Sequence, residues 1–285
     1  MEQDLIQSIV KLSSRKFTLN HYTYYIFNNP SALFNAEQKN FLFNFTSDLI
    51  QNTFEKKEQS YFQARTRYFD EITQYWLVAR DESPIGFCGI KQFKYQNTDV
   101  IYFDTLNVSK KHQANGIASI ILFLSWIVNS WRTKSFIPFA LRSQNPAVYK
   151  GLIPIVEPNI LPEIDYVCEQ GMRPKMLGLA KYVSDMLSKD RPVQYDEKHS
   201  VCRRAYGINL YGNNFKFPKK DSVSEYFNKV LDRDAGDTMM VVVWPRVTIY
   251  NLSRLFILMY AKVRKHRRST GLFLRKRHNR LSLIK

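Results

Sequence analysis

The chain has 285 residues and a mass of 33.7 kDa, and 45% of its residues are hydrophobic. This share of apolar residues can bury a large core, which excludes global disorder. The net charge is +17, and twelve of the 42 basic residues lie in residues 246–285, which contain no acidic residue. The preceding 245 residues carry a net charge of only +5, so most of the positive charge is concentrated in residues 246–285, the basic tail.

Several classes of protein are excluded by what the sequence lacks. Cys88, Cys168 and Cys202 lie far apart with no CxxC spacing, and the five histidines show no metal-binding spacing, so we expect neither a disulfide framework nor a metal site. The first residues contain no apolar signal core, and the longest apolar run, residues 255–261, is far shorter than the roughly 20 residues of a membrane span. We therefore expect a reducing, cytoplasmic compartment.

Hydrophobic periodicity predicts the elements of the first half of the chain. Strands are predicted at residues 22–27, 75–79, 85–90, 100–108 and 136–141, and helices at residues 36–54 and 116–131, with a short helix opening at Pro146. The second and third of these strands flank turn residues and form a predicted hairpin. This order indicates mixed α and β structure, in which an antiparallel meander leads into a crossover helix.

The pattern is weaker in the second half of the chain. A helix is predicted at residues 175–187, short strands at 201–205 and 239–243, and between these strands a helix capped by Asp221 or Ser222. These strands either complete the first sheet or build a separate unit, and the sequence leaves both alternatives open.

The most informative stretch is residues 106–118, where a strand ends at Val108 and an apolar helix begins near Gly116. Main-chain N–H groups at such a helix start have no intrahelical partners, and together with the helix dipole they suit a pyrophosphate. Gly116 allows the main chain to approach a phosphate, and Ala118 keeps the next contact small. Lys110 and Lys111 add positive charge to the connecting loop.

The run Gln113-x-x-Gly116-x-Ala118, after a strand ending in Leu-x-Val, resembles the acyl-CoA signature of the GCN5-related N-acetyltransferases, (Arg/Gln)-x-x-Gly-x-(Gly/Ala). The next predicted strand is followed by Asn145 and Tyr149, a pair that this superfamily often has in the same order. The resemblance covers about residues 20–155. It implies an α+β fold with a mixed central sheet of the acyl-CoA N-acyltransferase type and a C-terminal extension.

The resemblance also implies roles for individual residues. The expected acyl-CoA contacts are Leu106, Val108, Gln113, Ala114, Asn115, Gly116, Ile117, Ala118 and Asn145. Tyr149 would protonate the leaving thiolate, and Asp104 would take the proton of the amine. We expect burial among apolar strand residues to raise the pKa of Asp104.

Each of these residues also has a purely structural alternative. Gly116 and Ala118 would permit close packing of the helix on the sheet, and Asn145 would cap the next helix. Tyr149 would be one of 17 tyrosines in the core, and Asp104 an outward-facing acid of its strand.

The implied function is acyl transfer from acetyl-CoA or another acyl donor, including an acyl carrier protein, directly to an amine or hydroxyl acceptor. The alternative is a non-catalytic binding protein with the same fold, tethered through its tail. The expected organisation is an acyl-CoA-binding core at residues 1–155, a C-terminal part at 156–245 and a basic amphipathic tail at 246–285.

The basic tail intersperses Lys and Arg with large aliphatic and aromatic residues. This mixture favours an anionic membrane surface, because apolar groups enter the acyl boundary while the cations face the headgroups. That partner would place the protein at the inner face of a membrane. An acidic acyl carrier protein, a nucleic acid, and a core helix at residues 247–263 are the alternatives. The acceptor is not identified by the sequence.

Overall fold

A ten-stranded sheet forms the centre of the computed structural model, which describes residues 2–19, 21–54, 60–113, 115–133, 136–156, 159–188, 193–212 and 221–245. The strands within these residues are β1 (Arg15–Leu19), β2 (Tyr22–Asn28), β3 (Gln74–Arg80), β4 (Ser83–Tyr95), β5 (Thr98–Val108), β6 (Phe139–Ser143), β7 (Ile160–Leu161), β8 (Gln194–Asp196), β9 (Val201–Arg203) and β10 (Thr238–Val243). Their order is β1-β2-β3-β4-β5-β6-β10-β9-β8, with β7 paired to the end of β10. Strands from both halves of the chain therefore share one sheet.

The helices pack on both faces of this sheet. Within the described residues they are α1 (Glu2–Lys11), α2 (Pro30–Leu33), α3 (Ala36–Thr53), α4 (Ser60–Gln63), α5 (Tyr68–Glu71), α6 (Ile117–Thr133), α7 (Pro146–Val156), α8 (Met172–Leu187) and α9 (Ser222–Val230). Asn35 and Gln38 form a capping box at the start of α3. The Asp221 carboxylate accepts a bond from the Ser224 N–H at the start of α9.

Alternate residues of each strand supply two cores on opposite faces of the sheet. On β10, Met239 and Val241 join the core beneath α6, α7 and α9, whereas Met240 and Val242 join the core beneath α8. The face that carries α8 also carries α1, α3 and α5, which pack on β2, β3 and β4.

The strands β5 and β6 form the one parallel pair in the described sheet, and their pairing is short. It ends at Phe103 and Leu141. Beyond this point β5 stays with β4 as far as Val108, while β6 stays with β10 as far as Ser143. The two strands diverge, and we call the gap between residues 104–108 and 142–145 the wedge.

A β-bulge lies where the wedge begins. Gly89 of β4 pairs with Thr105, but the next residue of β4 pairs with Phe103, so Asp104 is an extra residue on β5. The buried Tyr68 hydroxyl lies against Gly89 and is hydrogen-bonded to Thr105 Oγ1 at 2.7 Å. A Cβ at Gly89 would lie 1.9 Å from this hydroxyl, so glycine is required for the packing that supports the bulge.

The α+β fold class with a mixed central sheet is confirmed by this architecture. The strand predicted at residues 22–27 is present as β2, but it is not the first strand of the chain, because β1 precedes it and pairs with it. The strand predicted at residues 136–141 begins only at Phe139, and Phe136 is 46% exposed. β1 has only five residues, too few for its pattern to be separated from that of a loop.

The basic tail, residues 246–285, lies outside the described residues, so its predicted attachment role stays a prediction. Among the helices that the structure describes, none combines the length and the apolar character that a membrane span requires.

Candidate functional site

Two helices begin at the open end of the wedge. Because β5 and β6 are parallel, their carboxyl ends lie at the same edge of the sheet, and α6 and α7 start just beyond them. Asn145 caps α7 through a 2.8 Å bond from the Ala147 N–H to its Oδ1. The wedge is therefore flanked by two sets of main-chain N–H groups, an arrangement that attracts an anion.

The loop between β5 and α6 is held in place by side chains. The Gln113 side-chain amide donates to the Val108 carbonyl at 2.9 Å, although the residue itself is exposed. The Tyr22 hydroxyl contacts His112 Nδ1 at 3.3 Å and accepts a bond from the Asn115 amide at 3.2 Å. Tyr22 was not singled out from the sequence, where it is one aromatic residue among several in its strand.

Gly116 has the left-handed conformation that favours glycine, with φ of +76°, and a Cβ there would meet nothing within 4 Å. The space above the main chain at the start of α6 is open. Ala118 is exposed in the first turn, whereas Ile117 is buried in the core. Ala114, the remaining predicted contact of this loop, lies outside the described residues.

The loop between β5 and α6 carries exposed positive charge. Lys110 and Lys111 are both exposed. Burial, together with nearby Arg80 and Lys111, lowers the pKa of His112, so this imidazole is neutral at physiological pH. The lysines, rather than the histidine, supply the loop's charge.

The predicted contacts on β5 are placed along the wedge. Leu106 is partly buried against the core on the α6 face. Val108 donates its N–H to Asn107 Oδ1 at 2.9 Å and accepts the bond from Gln113, so both of its main-chain groups have protein partners. A ligand contact at Val108 requires one of these bonds to be exchanged.

Asp104, the bulge residue, has a side chain that is only 3% exposed. Arg65 donates to its Oδ2 at 2.6 Å, Lys91 Nζ lies 3.7 Å from its Oδ1, and Thr105 Oγ1 donates at 3.0 Å. Burial raises the pKa of this carboxyl, but the attraction of Arg65 and Lys91 outweighs it and the net shift is downward. The expected rise in pKa was wrong, because the ion partners come from segments distant in sequence.

A charged cavity of about 610 Å³ extends from Asp104 on the face of the sheet that carries α5 and α8. Its charged lining residues are Arg65, Arg67, Asp70, Glu71, Lys91, Asp104 and Arg142. Glu71 accepts bonds from both Arg65 and Lys91. Except for Asp104, these residues were missed by the sequence analysis, since nothing in the pattern shows that they meet.

Tyr149 is placed on the opposite face from Asp104. It is a fully buried residue of α7, packs edge-on against Phe227 of α9, and donates its hydroxyl hydrogen to the Pro162 carbonyl at 2.7 Å. Burial raises the pKa of this hydroxyl. The structure does not bring Tyr149 and Asp104 together, because the wall of the sheet separates them.

A different tyrosine contacts the β6 side of the wedge. The hydroxyl of Tyr211 is hydrogen-bonded to the Asn145 side chain, and its ring lies edge-on to Phe54 at 5.3 Å, beyond the end of α3. The neighbouring Leu210 N–H donates to Gln144 Oε1 at 3.0 Å. Burial raises the pKa of Tyr211, while the bond from Asn145 and the charge of Arg233 act in the opposite direction.

Metal ligands are not grouped in the described part of the chain. Among those residues, no set of three or more His, Cys, Asp or Glu side chains is placed to hold a metal ion.

A family model matches part of the sequence. The model of the Acetyltransferase (GNAT) family matches residues 35–124, which run from the cap of α3 through the wedge strand β5 into α6. The resemblance found in the sequence is confirmed for this segment. No curated protein matches the chain.

Several solved structures are similar to the chain at low identity. An aminoglycoside acetyltransferase from an uncultured soil metagenomic sample, in complex with trehalose, is 14% identical over 46% of this chain and 83% of its own, with a TM-score of 0.34. Naa50 of Arabidopsis thaliana, bound to the bisubstrate analogue CoA-Ac-MVNAL, is 12% identical over 78% of this chain and 98% of its own, with a TM-score of 0.32. YhbS, a GNAT family N-acetyltransferase from Escherichia coli in complex with CoA, is 18% identical over 38% and 60%, with a TM-score of 0.30.

The lowered pKa of Asp104 predicts an acid-sensitive contribution to stability. The contribution is fully present above the ordinary pKa of 3.8 and is lost as pH falls through the lower folded value. Asp104→Asn should reduce the free energy of unfolding by about 3 kcal/mol at pH 7, because Arg65 and Lys91 each lose one of their two carboxylate partners. Urea unfolding at pH 3 to 7 measures the free energy of unfolding of the unmodified protein and of Asp104→Asn. The difference between these two free energies should become smaller as the pH falls.

Asp99→Asn, on the same strand but outside this ion network, is the matched control and should leave the acid slope unchanged. An Asp104→Asn protein that is as stable as the unmodified protein at pH 7 would contradict the network.

Proposed function

We propose that the protein transfers an acetyl or longer acyl group from coenzyme A directly to an amine or hydroxyl acceptor, on the premise that residues 35–124 match the model of the Acetyltransferase (GNAT) family. The observation that carries the proposal is the divergence of β5 and β6 after Phe103 and Leu141, with two helix starts at the open end. An extended thioester arm fits such a gap between strands. The acyl group would then arrive where the strands part.

The start of α6 fits the pyrophosphate of the donor. Gly116 leaves the space above the main chain open, and the exposed Ala118 adds no bulk over the first turn. The unpaired N–H groups of this turn and the helix dipole attract negative charge. Lys110 and Lys111 strengthen this attraction from the solvent side.

The bound donor supplies a thioester, an acyl group already activated for attack. The main chain of residues 104–108 lines one side of the wedge, and an N–H group directed at the acyl oxygen would stabilise the charge that develops there. Asp104 stays ionised beside Arg65 and Lys91. We therefore assign it to holding the amine of an acceptor rather than to removing its proton.

Tyr211 contacts the β6 side of the wedge, and we propose it as the group that returns a proton to the leaving thiolate. Its bond to Asn145 places the hydroxyl beside the start of α7. The Tyr149 hydroxyl, in contrast, is buried on the other face and is used by the Pro162 carbonyl. Asn145 would act twice, as the cap of α7 and as the residue that orients Tyr211.

Donor binding is tested by Gly116→Ala, with Gly171→Ala as the matched control. Both glycines have positive φ, +76° and +80°, and both have open space at the Cβ position, so the strain is the same in each. Each variant should be destabilised by about 1 kcal/mol. Only Gly116→Ala should weaken binding of coenzyme A, by about 10-fold or more in calorimetry, because its methyl group lies over the start of α6.

Equal affinities for coenzyme A in the two variants would contradict the proposed donor site. Tight binding of acyl-CoA without release of thiol in the presence of any amine would favour the alternative, a non-catalytic protein with the same fold.

The proton donor is tested by comparing Tyr211→Phe with Tyr149→Phe, since each change removes one hydroxyl and keeps the ring. Tyr211→Phe should lower turnover by about 10²-fold, the lower end for general acid catalysis. Tyr149→Phe should leave turnover unchanged and reduce stability by about 1 kcal/mol, because the Pro162 carbonyl loses its donor. Thiol release and thermal unfolding of both variants measure this, and the reverse pattern would return the role to Tyr149.

A further inference from the structure

The charged cavity lies at the closed end of the wedge, which makes it the space that an acyl group would face. The last paired residues of β5 and β6 are Phe103 and Leu141. The residues that follow them, Asp104 and Arg142, both line the cavity. We call this space the vertex cavity. An acyl carbon carried along the wedge to this point would be next to whatever the vertex cavity holds.

The charges around the vertex cavity are of both signs, with cations in excess. Four cations and three carboxylates line it. Arg67, 82% exposed, pairs with Asp70 near the solvent. Farther in, Arg65 and Lys91 pair with Glu71 and Asp104. An occupant that brings one ammonium group and one anionic group would meet complementary charge at both ends.

Arg142 is held by two tyrosines. Its Nε donates to the Tyr102 hydroxyl at 3.0 Å, and its guanidinium carbon lies 5.5 Å from the centre of the Tyr206 ring. The Tyr206 hydroxyl also donates to the Arg142 carbonyl at 3.3 Å. A guanidinium fixed in this way loses little freedom on binding, and its planar fork matches the two oxygens of a carboxylate.

We propose that the vertex cavity is the acceptor site and that the acceptor is a small amine bearing a carboxylate, of the amino-acid class. The carboxylate binds Arg142 and the ammonium group lies toward Asp104. The volume of about 610 Å³ suits a small molecule. This inference rests on the proposed function, because it names the acceptor of that reaction.

The reaction balances with these two substrates alone. The amine nitrogen forms a bond to the acyl carbon, and the carbon–sulfur bond breaks with its electron pair leaving on sulfur. The ammonium form of the acceptor loses two protons, of which one ends on the thiol and one passes to solvent. The products are an N-acyl amino acid and free coenzyme A.

The acceptor class is tested with the full-length protein, acetyl-CoA and matched pairs of acceptors. Each of the common α-amino acids is compared with its amide, which keeps the amine and removes the negative charge. Phosphoethanolamine provides a third arm, an amine with a phosphate in place of the carboxylate. We expect the kcat/KM of at least one amino acid, measured by thiol release, to exceed that of its amide about 10²-fold.

Arg142→Gln should reduce kcat/KM for that amino acid about 10²-fold, mainly by raising KM. The kcat/KM of the amino acid and that of its amide should then differ less than they do in the unmodified protein. Arg142→Lys keeps the positive charge but lacks the planar pair of N–H donors, so its kcat/KM should lie between those of Arg142→Gln and the unmodified protein. Arg132→Gln removes one charge from the exposed end of α6 and is the matched control, which should behave as the unmodified protein.

Three results would overturn the inference. Equal use of acids and amides would show that no anion is recognised, even if the Arg142 variants fail to fold. Preference for phosphoethanolamine would replace the carboxylate with a phosphate. Binding of acetyl-CoA in calorimetry without transfer to any amino acid would reject this acceptor class and leave the donor site intact. Failure of the unmodified protein to bind acetyl-CoA would instead reject the proposed function itself.

Discussion

The separation of β5 from β6 is the constraint on which the rest of the site depends. Three residue pairs join the two strands, and then each follows its other neighbour. The extra residue at Asp104 bends β5 at this point, and Gly89 leaves room for Tyr68 to support the bend. Without the divergence, the starts of α6 and α7 would flank a closed sheet edge instead of an open gap.

The buried charge of Asp104 connects this backbone feature to chemistry. A bulge residue in mid-strand would ordinarily face either core or solvent, but here its carboxylate is nearly fully buried among cations. Breaking such a group of ions is unfavourable because each remaining charge is left desolvated. Arg65 and Lys91 are balanced by Asp104 and Glu71, so the excess positive charge of the vertex cavity is that of Arg142, the residue to which the proposal assigns the acceptor's carboxylate.

The sequence predicted the parts of the site that depend on local order. The strand ending at Val108, the basic loop and the helix after Gly116 are contiguous, and their hydrophobic pattern is strong. It predicted the cap of α7 at Asn145 for the same reason. The role of proton donor predicted for Tyr149 rested on its place in the sequence, which does not show which way a helix face points. In the structure Tyr149 lies on the face of α7 that packs toward α9, in the same core as Leu152.

The remaining parts of the site are assembled by long-range pairing, which a single sequence does not display. Arg65 meets Asp104 from a loop 39 residues earlier, and this contact reverses the direction of the pKa shift expected from burial. Tyr211 reaches Asn145 only because β9 and β10 return to the sheet beside β6. Composition and periodicity carry no record of these contacts.

Hydrogen–deuterium exchange of the full-length protein, with and without saturating coenzyme A, tests the central claim most directly. The account predicts that exchange slows at the main-chain amides of residues 104–108 and 115–119, which line the wedge and begin α6. Amides of α1, which lines neither the wedge nor the vertex cavity, should exchange at the same rate in both conditions. Unchanged exchange in both wedge segments, with protection elsewhere in the chain, would contradict it.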